Sequence, residues 1–189
     1  MQNSPVATTF PRTRRSQRGY NVAEVEDFLQ EARAAYTAPV GGPAVIDAAS
    51  IRTTAFGLER GGYSTSHVDA ALERLEDAFA TREKERAFAA PGGDAAWYTQ
   101  ARSTAQVLLN RLDRPAGRRF TRVGPLSQGY SPRDVDEFSD RLADYFQRGK
   151  AMSVDEVRTV AFRSARGGYS ETQVDLVLDT VINVMLAVK

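Results

Sequence analysis

One phrase is written four times in this chain: a glycine turn, a tyrosine, a helix-capping residue, then an apolar-acidic pair. It reads GGYSETQVD at residues 167–175 and GGYSTSHVD at 61–69, and more loosely RGYNVAEVED at 18–27 and QGYSPRDVDE at 128–137. Repetition constrains a fold strongly, because every copy must build the same turn and bury the same face. The tyrosines Tyr20, Tyr63, Tyr130 and Tyr169 are spaced 43, 67 and 39 residues apart, so first to third is 110 and second to fourth is 106. Segments two and four align without gaps over 51–72 and 157–178 and share 12 of 22 residues. Segments one and three have their own spacing: Phe10 and Phe120 stand ten residues before the tyrosine, whereas Phe56 and Phe162 stand seven before. Two independent spacings therefore give a pair of unlike segments, duplicated.

Each copy has a physical reading. The glycine pairs supply left-handed or tight backbone that other residues avoid, with Gly19, Gly62, Gly129 and Gly168 directly before the tyrosines. Asn21, Ser64, Ser131 and Ser170 follow the tyrosines as N-caps, with Glu24 and Gln173 placed for reciprocal capping boxes and Pro132 at a first helical position. The helices that follow carry apolar residues at period 3.6: Val25, Phe28, Leu29, Ala32 and Tyr36 in the first, and Val174, Val177, Leu178, Val181, Ile182 and Met185 in the fourth. Each tyrosine and its upstream phenylalanine are expected to fold back onto this stripe. In segments two and four a short helix is expected from Asp47 or Ser153 to Phe56 or Phe162.

No alternating strand pattern of useful length appears, so the expected fold is all-α: four helical segments arranged as a duplicated pair of unlike units, with Gly-Tyr turns between helices. The expected layout is a first pair within 1–90 (10–36 and 47–88), a connecting helix within 91–114, and a second pair within 115–189 (120–146 and 153–188). Residues 37–45, TAPVGGPAV, read as a flexible linker. The Arg- and Ser-rich start resembles a transit peptide, but 10–36 recurs near 120–146 and reads as structure. The most apolar stretch, 174–188, contains Asp175 and Asp179 and is too short to span a bilayer, so it reads as a buried helix.

Composition narrows the chemistry. The chain has 189 residues, 42% of them hydrophobic, a formal net charge of +1 and no cysteine. A soluble globular protein is expected, and a globally basic nucleic-acid binder is not. Disulfides, thiolate metal sites and cysteine nucleophiles are excluded, which fits a reducing cytoplasm. The single histidine, His67, reads as a surface or capping residue rather than a metal ligand or base. No catalytic, metal or cofactor site is expected. The Gly-Gly pairs lack the context of a nucleotide-binding loop.

The spaced Phe, the Gly-Tyr turn, the cap and the Val-Asp helix together resemble the DivIVA N-terminal domain of Gram-positive bacteria. Residues 153–162, SVDEVRTVAF, resemble that family's opening helix, and 166–179, RGGYSETQVDLVLD, its turn and second helix. The four copies resemble actinobacterial DivIVA-domain repeat proteins, and the likeness covers about two-thirds of the chain. It implies a cytoplasmic, non-enzymatic adaptor of cell division or polar growth, peripheral to the inner face of the plasma membrane, whose partners are other proteins and an anionic lipid surface. A soluble protein-interaction module without lipid contact is the alternative. The family's long coiled coil has no counterpart here, since no heptad run is present, and pairing of units within one chain is expected in its place.

Candidate contact residues lie ahead of the Gly-Tyr turns. Arg12, Arg14, Arg15 and Arg18 form an acid-free loop in segment one, and Arg114, Arg118, Arg119 and Arg122 an equivalent in segment three, where Val123 and Leu126 could insert into lipid. Each arginine near an anionic membrane contributes about 1 kcal/mol. The other reading is that these arginines are solvated or pair with a neighbouring acidic helix. The repeated acids Glu26, Asp69, Asp136 and Asp175 read as charges complementing helix N-termini.

Overall fold

The computed structural model describes residues 10–38 and 46–188. The chain divides into two compact units, 1–86 and 87–189. Most of the linker 37–45 lies outside the described residues.

The N-terminal unit runs β1 (Arg18–Tyr20), α1 (Val22–Thr37), α2 (Ala48–Arg52), β2 (Leu58–Arg60) and α3 (Thr65–Phe88). Asn21 caps α1, its side chain accepting the Glu24 amide at 3.1 Å. Asp47 and Ser50 cap α2 reciprocally. One apolar cluster gathers Val25, Tyr63 and Val68 with Phe10, Tyr20, Phe56 and Leu72 around the turns. A second joins Ala32, Ile51 and Phe79 with Phe28 and Leu75 further along the helices. Between α2 and α3 an ion pair is buried: the Arg52 guanidinium lies 2.5 Å from a Glu76 carboxylate that is 2% exposed.

The C-terminal unit runs α4 (Gly93–Leu112), β3 (Gln128–Tyr130), α5 (Pro132–Arg148), α6 (Val154–Arg158), β4 (Ser164–Arg166) and α7 (Glu171–Val188). α4, which covers most of the expected connecting segment, packs on α7 and α5. The Trp97 indole donates to the Ala187 carbonyl at 2.9 Å. α7 is the buried helix that its composition indicates, with Val174, Val177, Val181, Ile182, Val184 and Met185 all in the core. Ser153 and Glu156 form a reciprocal capping box on α6.

The described residues are mostly helical, but not purely so. β1 pairs antiparallel with β2, and β3 with β4. Strands of three residues give no readable alternation; they form because tertiary pairing supplies their hydrogen bonds. The short helices also stop early, at Arg52 and Arg158, rather than reaching Phe56 and Phe162. Thr53 and Thr159 hydroxyls bond back to the carbonyls of Ala49 and Asp155, which competes with helix continuation. The extended chain beyond then carries Phe56 to Tyr20 and Phe28, and Phe162 to Tyr130 and Phe138.

The same crossing occurs in both units. Tyr20 and Tyr63 exchange backbone hydrogen bonds at 2.9 Å each, and Tyr130 and Tyr169 do so at 3.0 and 2.8 Å. Gly19 and Gly62 face each other there. A Cβ on Gly19 would lie 2.2 Å from the Tyr63 carbonyl oxygen, and one on Gly62 2.3 Å from that of Tyr20. Gly129 and Gly168 are equally crowded. The preceding Gly61 and Gly167 take the left-handed conformation, with φ of 69° and 61°. So one glycine of each pair is required by backbone angle and the other by close approach.

The rings are exchanged across the crossing. Phe10 packs edge-on against Tyr63, and Phe56 against Tyr20, both at 5.5 Å; Phe120 against Tyr169 and Phe162 against Tyr130 follow at 5.3 Å. Each phenylalanine thus meets the tyrosine of the other segment. Such pairs contribute about 0.5–1.5 kcal/mol beyond area burial.

Candidate functional site

The residues ahead of each Gly-Tyr turn form an arm laid over the crossing. In the first arm Thr13 N–H donates to Gly62 O at 2.8 Å, Gln17 N–H closes a turn onto Arg14 O at 2.8 Å, and Gly61 N–H donates to Gln17 O at 3.0 Å. In the second arm Val123, Ser127 and Gly167 make the equivalent three bonds, each at 2.9 Å, to Gly168, Gly124 and Ser127. Backbone hydrogen bonding therefore holds each arm in place, and side chains at the turn tip are free to face water.

Arg12, Arg14, Arg15 and Arg18 are all exposed on the first arm. The structure adds a fifth residue that the spacing did not reveal: Arg60 of β2 lies directly opposite Arg18. Arg12 stacks its guanidinium 5.9 Å from the Tyr63 ring centre. Among the described residues no carboxylate pairs with any of the five. Glu59, the nearest acid in sequence to Arg60, is occupied by the Asn21 side chain and the Val22 amide.

The second arm differs in chemistry. Leu126, at its tip, is 88% exposed, Val123 is half-buried, and Arg118 and Arg122 are exposed, with Arg122 5.6 Å from the Tyr169 ring centre. Arg119 is no contact residue: it is 7% exposed. It donates to the carbonyls of Arg114 at 3.1 Å and Asp136 at 2.6 Å, and pairs with the carboxylate of Asp140. Arg163 is likewise neutralised by Asp134 at 2.5 Å, and this partner holds the Asp134 carboxyl well below its ordinary range, at about 2.

The four repeated acids have a use that helix electrostatics did not suggest. The Tyr63 hydroxyl donates to Glu26 at 2.5 Å, and that of Tyr169 to Asp136 at 3.1 Å. Tyr20 and Tyr130 instead feel the charges of Asp69 and Asp175. Each acid thus serves the tyrosine of the opposite segment. Burial first, and the neighbouring acid after it, raise the Tyr20 and Tyr130 phenols above their ordinary value. Glu24 and Gln173 also reach across rather than closing their own caps: Glu24 accepts the Gly57 amide at 2.7 Å and Gln173 the Thr121 amide at 3.0 Å. A repeated polar residue at a helix start was the available signal; its partner is far away in sequence.

His67 sits in the first turn of α3, its Nδ1 2.9 Å from the Ser64 hydroxyl. The described residues hold no cluster of three metal-ligating side chains, and no helix among them is long and apolar enough to cross a membrane. The two arms thus expose different chemistry, cationic on the first and apolar at the tip of the second. Comparison with protein-family models, curated proteins and solved structures finds no match.

Proposed function

We propose that the protein is a DivIVA-like binding adaptor of bacterial cell division or polar growth, peripheral at the anionic inner face of the plasma membrane and acting without catalysis. The single observation that carries the reading is the presence of two backbone-pinned arms with exposed ends, one bearing unpaired arginines and the other Leu126. Cationic side chains lower the free energy of approach to anionic lipid, and an exposed leucine can enter the acyl boundary. The proposal includes the finer architecture: four segments forming a duplicated pair of unlike units. It is supported by the recurrence of the same crossing, ring pairs and arm bonds at offsets of 110 and 106 residues.

Flotation with phosphatidylglycerol-containing vesicles at low and high salt tests the membrane contact. Binding should be salt-sensitive, abolished by R12E/R14E/R15E and weakened by Leu126→Ser. Absence of binding, or indifference to those changes, overturns it.

The alternative, a protein-interaction module without lipid contact, is favoured by one observation. Two cations of the second half, Arg119 and Arg163, are already neutralised by carboxylates. Pull-down of division proteins retained by the arginine variants would select it.

A further inference from the structure

The β1–β2 ladder leaves one strand edge open. Gly61 N–H donates to Gln17 O at 3.0 Å and Asn21 N–H to Gly57 O at 2.8 Å. Bonding positions alternate along an antiparallel pair, so Glu59 turns its backbone groups to Gly19 of β1, and Leu58 and Arg60 turn theirs away. Neither the amide nor the carbonyl of Leu58 or Arg60 is hydrogen-bonded to another described residue. Both residues are exposed, Leu58 to 54%. An open row of this kind is a template for a further strand, and proteins commonly guard it with charge.

The C-terminal unit repeats the open edge and changes one side chain. Ser131 N–H donates to Arg163 O and Gly167 N–H to Ser127 O, so Ser164 and Arg166 of β4 turn their backbone groups outward, and both are exposed. Arginine recurs at this place, as Arg60 and Arg166, and neither has a carboxylate partner among the described residues. Serine stands where the first unit has Leu58. The crossing is thus built equally well with a polar residue there, so forming it does not explain an exposed leucine.

We propose that β2 receives an extended peptide of a partner protein as a third, antiparallel strand, with an acidic residue opposite Arg60 and, two positions on, an apolar residue opposite Leu58. Alternate residues of the peptide exchange main-chain hydrogen bonds with Arg60 and Leu58, which gives affinity, and the two side chains give selectivity. A carboxylate directly opposite Arg60 forms a favourable cross-strand pair and offsets the repulsion from Arg18, which faces Arg60 on β1. A lipid surface presents no backbone to this edge, so the occupant is a protein segment. The inference rests on the reading of the protein as a binding adaptor and names its partner's chemistry.

The test uses the full chain in about 150 mM salt, where attraction between distant exposed charges is screened. The probe is a synthetic peptide carrying Asp-Thr-Val between threonines, followed by amide shifts in NMR. Saturable shifts centred on Leu58 and Arg60 are expected. Methylating the Asp and Val amide nitrogens of the peptide removes the donors that face β2 and should abolish binding. Methylating only the central Thr nitrogen, which faces away, should leave it. Arg60→Gln should weaken binding about tenfold, the loss of one charge-assisted contact, and Arg133→Gln on α5 should not. The proposal is overturned if the peptide does not bind, if the two methylated peptides bind alike, or if the two variants weaken binding equally. Division proteins captured equally by the unaltered chain and by Arg60→Gln also overturn the strand site, and leave the adaptor reading standing. Peptide binding that meets every expectation, with no division protein captured by either chain, supports the site and removes the division role.

Discussion

Replacing Gly168 by alanine should damage the C-terminal unit far more than its one added methyl suggests. The new Cβ would lie 2.5 Å from the Tyr130 carbonyl oxygen and 2.7 Å from both the carbonyl carbon and oxygen of Gly129. All three are backbone atoms on the crossing chain, so no side chain can swing aside. The two chains must separate by about 1 Å to reach van der Waals distance. That stretches the reciprocal Tyr130–Tyr169 bonds, now 3.0 and 2.8 Å, and loosens the ring pairs Phe120–Tyr169 and Phe162–Tyr130. With about 1 kcal/mol for each hydrogen bond and about 0.5–1.5 for each ring pair, partial loss comes to roughly 2–4 kcal/mol. Gly124→Ala in the same unit is the control, because its Cβ would meet only the Ser127 hydroxyl, at 3.7 Å. Urea unfolding followed by far-UV circular dichroism and Trp97 fluorescence measures both. Hydrogen exchange at the Tyr130 and Tyr169 amides should accelerate in Gly168→Ala alone. If the two variants differ by less than about 0.5 kcal/mol, the close-approach reasoning is wrong.

Arg119→Met should destabilise by about 3–5 kcal/mol, because it strands the buried Asp136 without its cation; adding Asp136→Asn should recover part of this in the same unfolding assay, and a strictly additive loss would count against a shared network. Asp134 gives a pH signature. Its folded pKa, about 2, lies below its ordinary 3.8, so the stability it lends is complete above about pH 4 and lost as pH falls through 2. Arg163→Ala should return the Asp134 titration, followed by NMR, towards 3.8; an unchanged titration would remove Arg163 as the cause.

Much of the helical frame was legible because its signals are local. The caps at Asn21, Asp47 and Ser153 and the buried face of α7 depend on residues three or four apart, which sequence displays directly. The candidate arms were legible as charge and repeat spacing, and four of the five exposed arginines of the first were found that way. Arg60 was not, since it belongs to another segment and joins the cluster only through strand pairing. Arg119 was assigned outward because charge patterning carries no direction; its partners Asp136 and Asp140 lie on α5.

The repeated phrase by itself determined the turns, the caps at Asn21 and Ser131 and the apolar helix faces, and that two glycines precede the tyrosine in segments two and four. Tertiary structure decided what they are for. Each Gly-Tyr turn crosses another, each phenylalanine and each acid serves the opposite tyrosine, and two small sheets appear where no strand pattern was written. The physical reason is range. Capping and helix periodicity are settled within one or two turns of chain, whereas a backbone crossing is specified jointly by residues about forty positions apart, and neither copy alone records its partner.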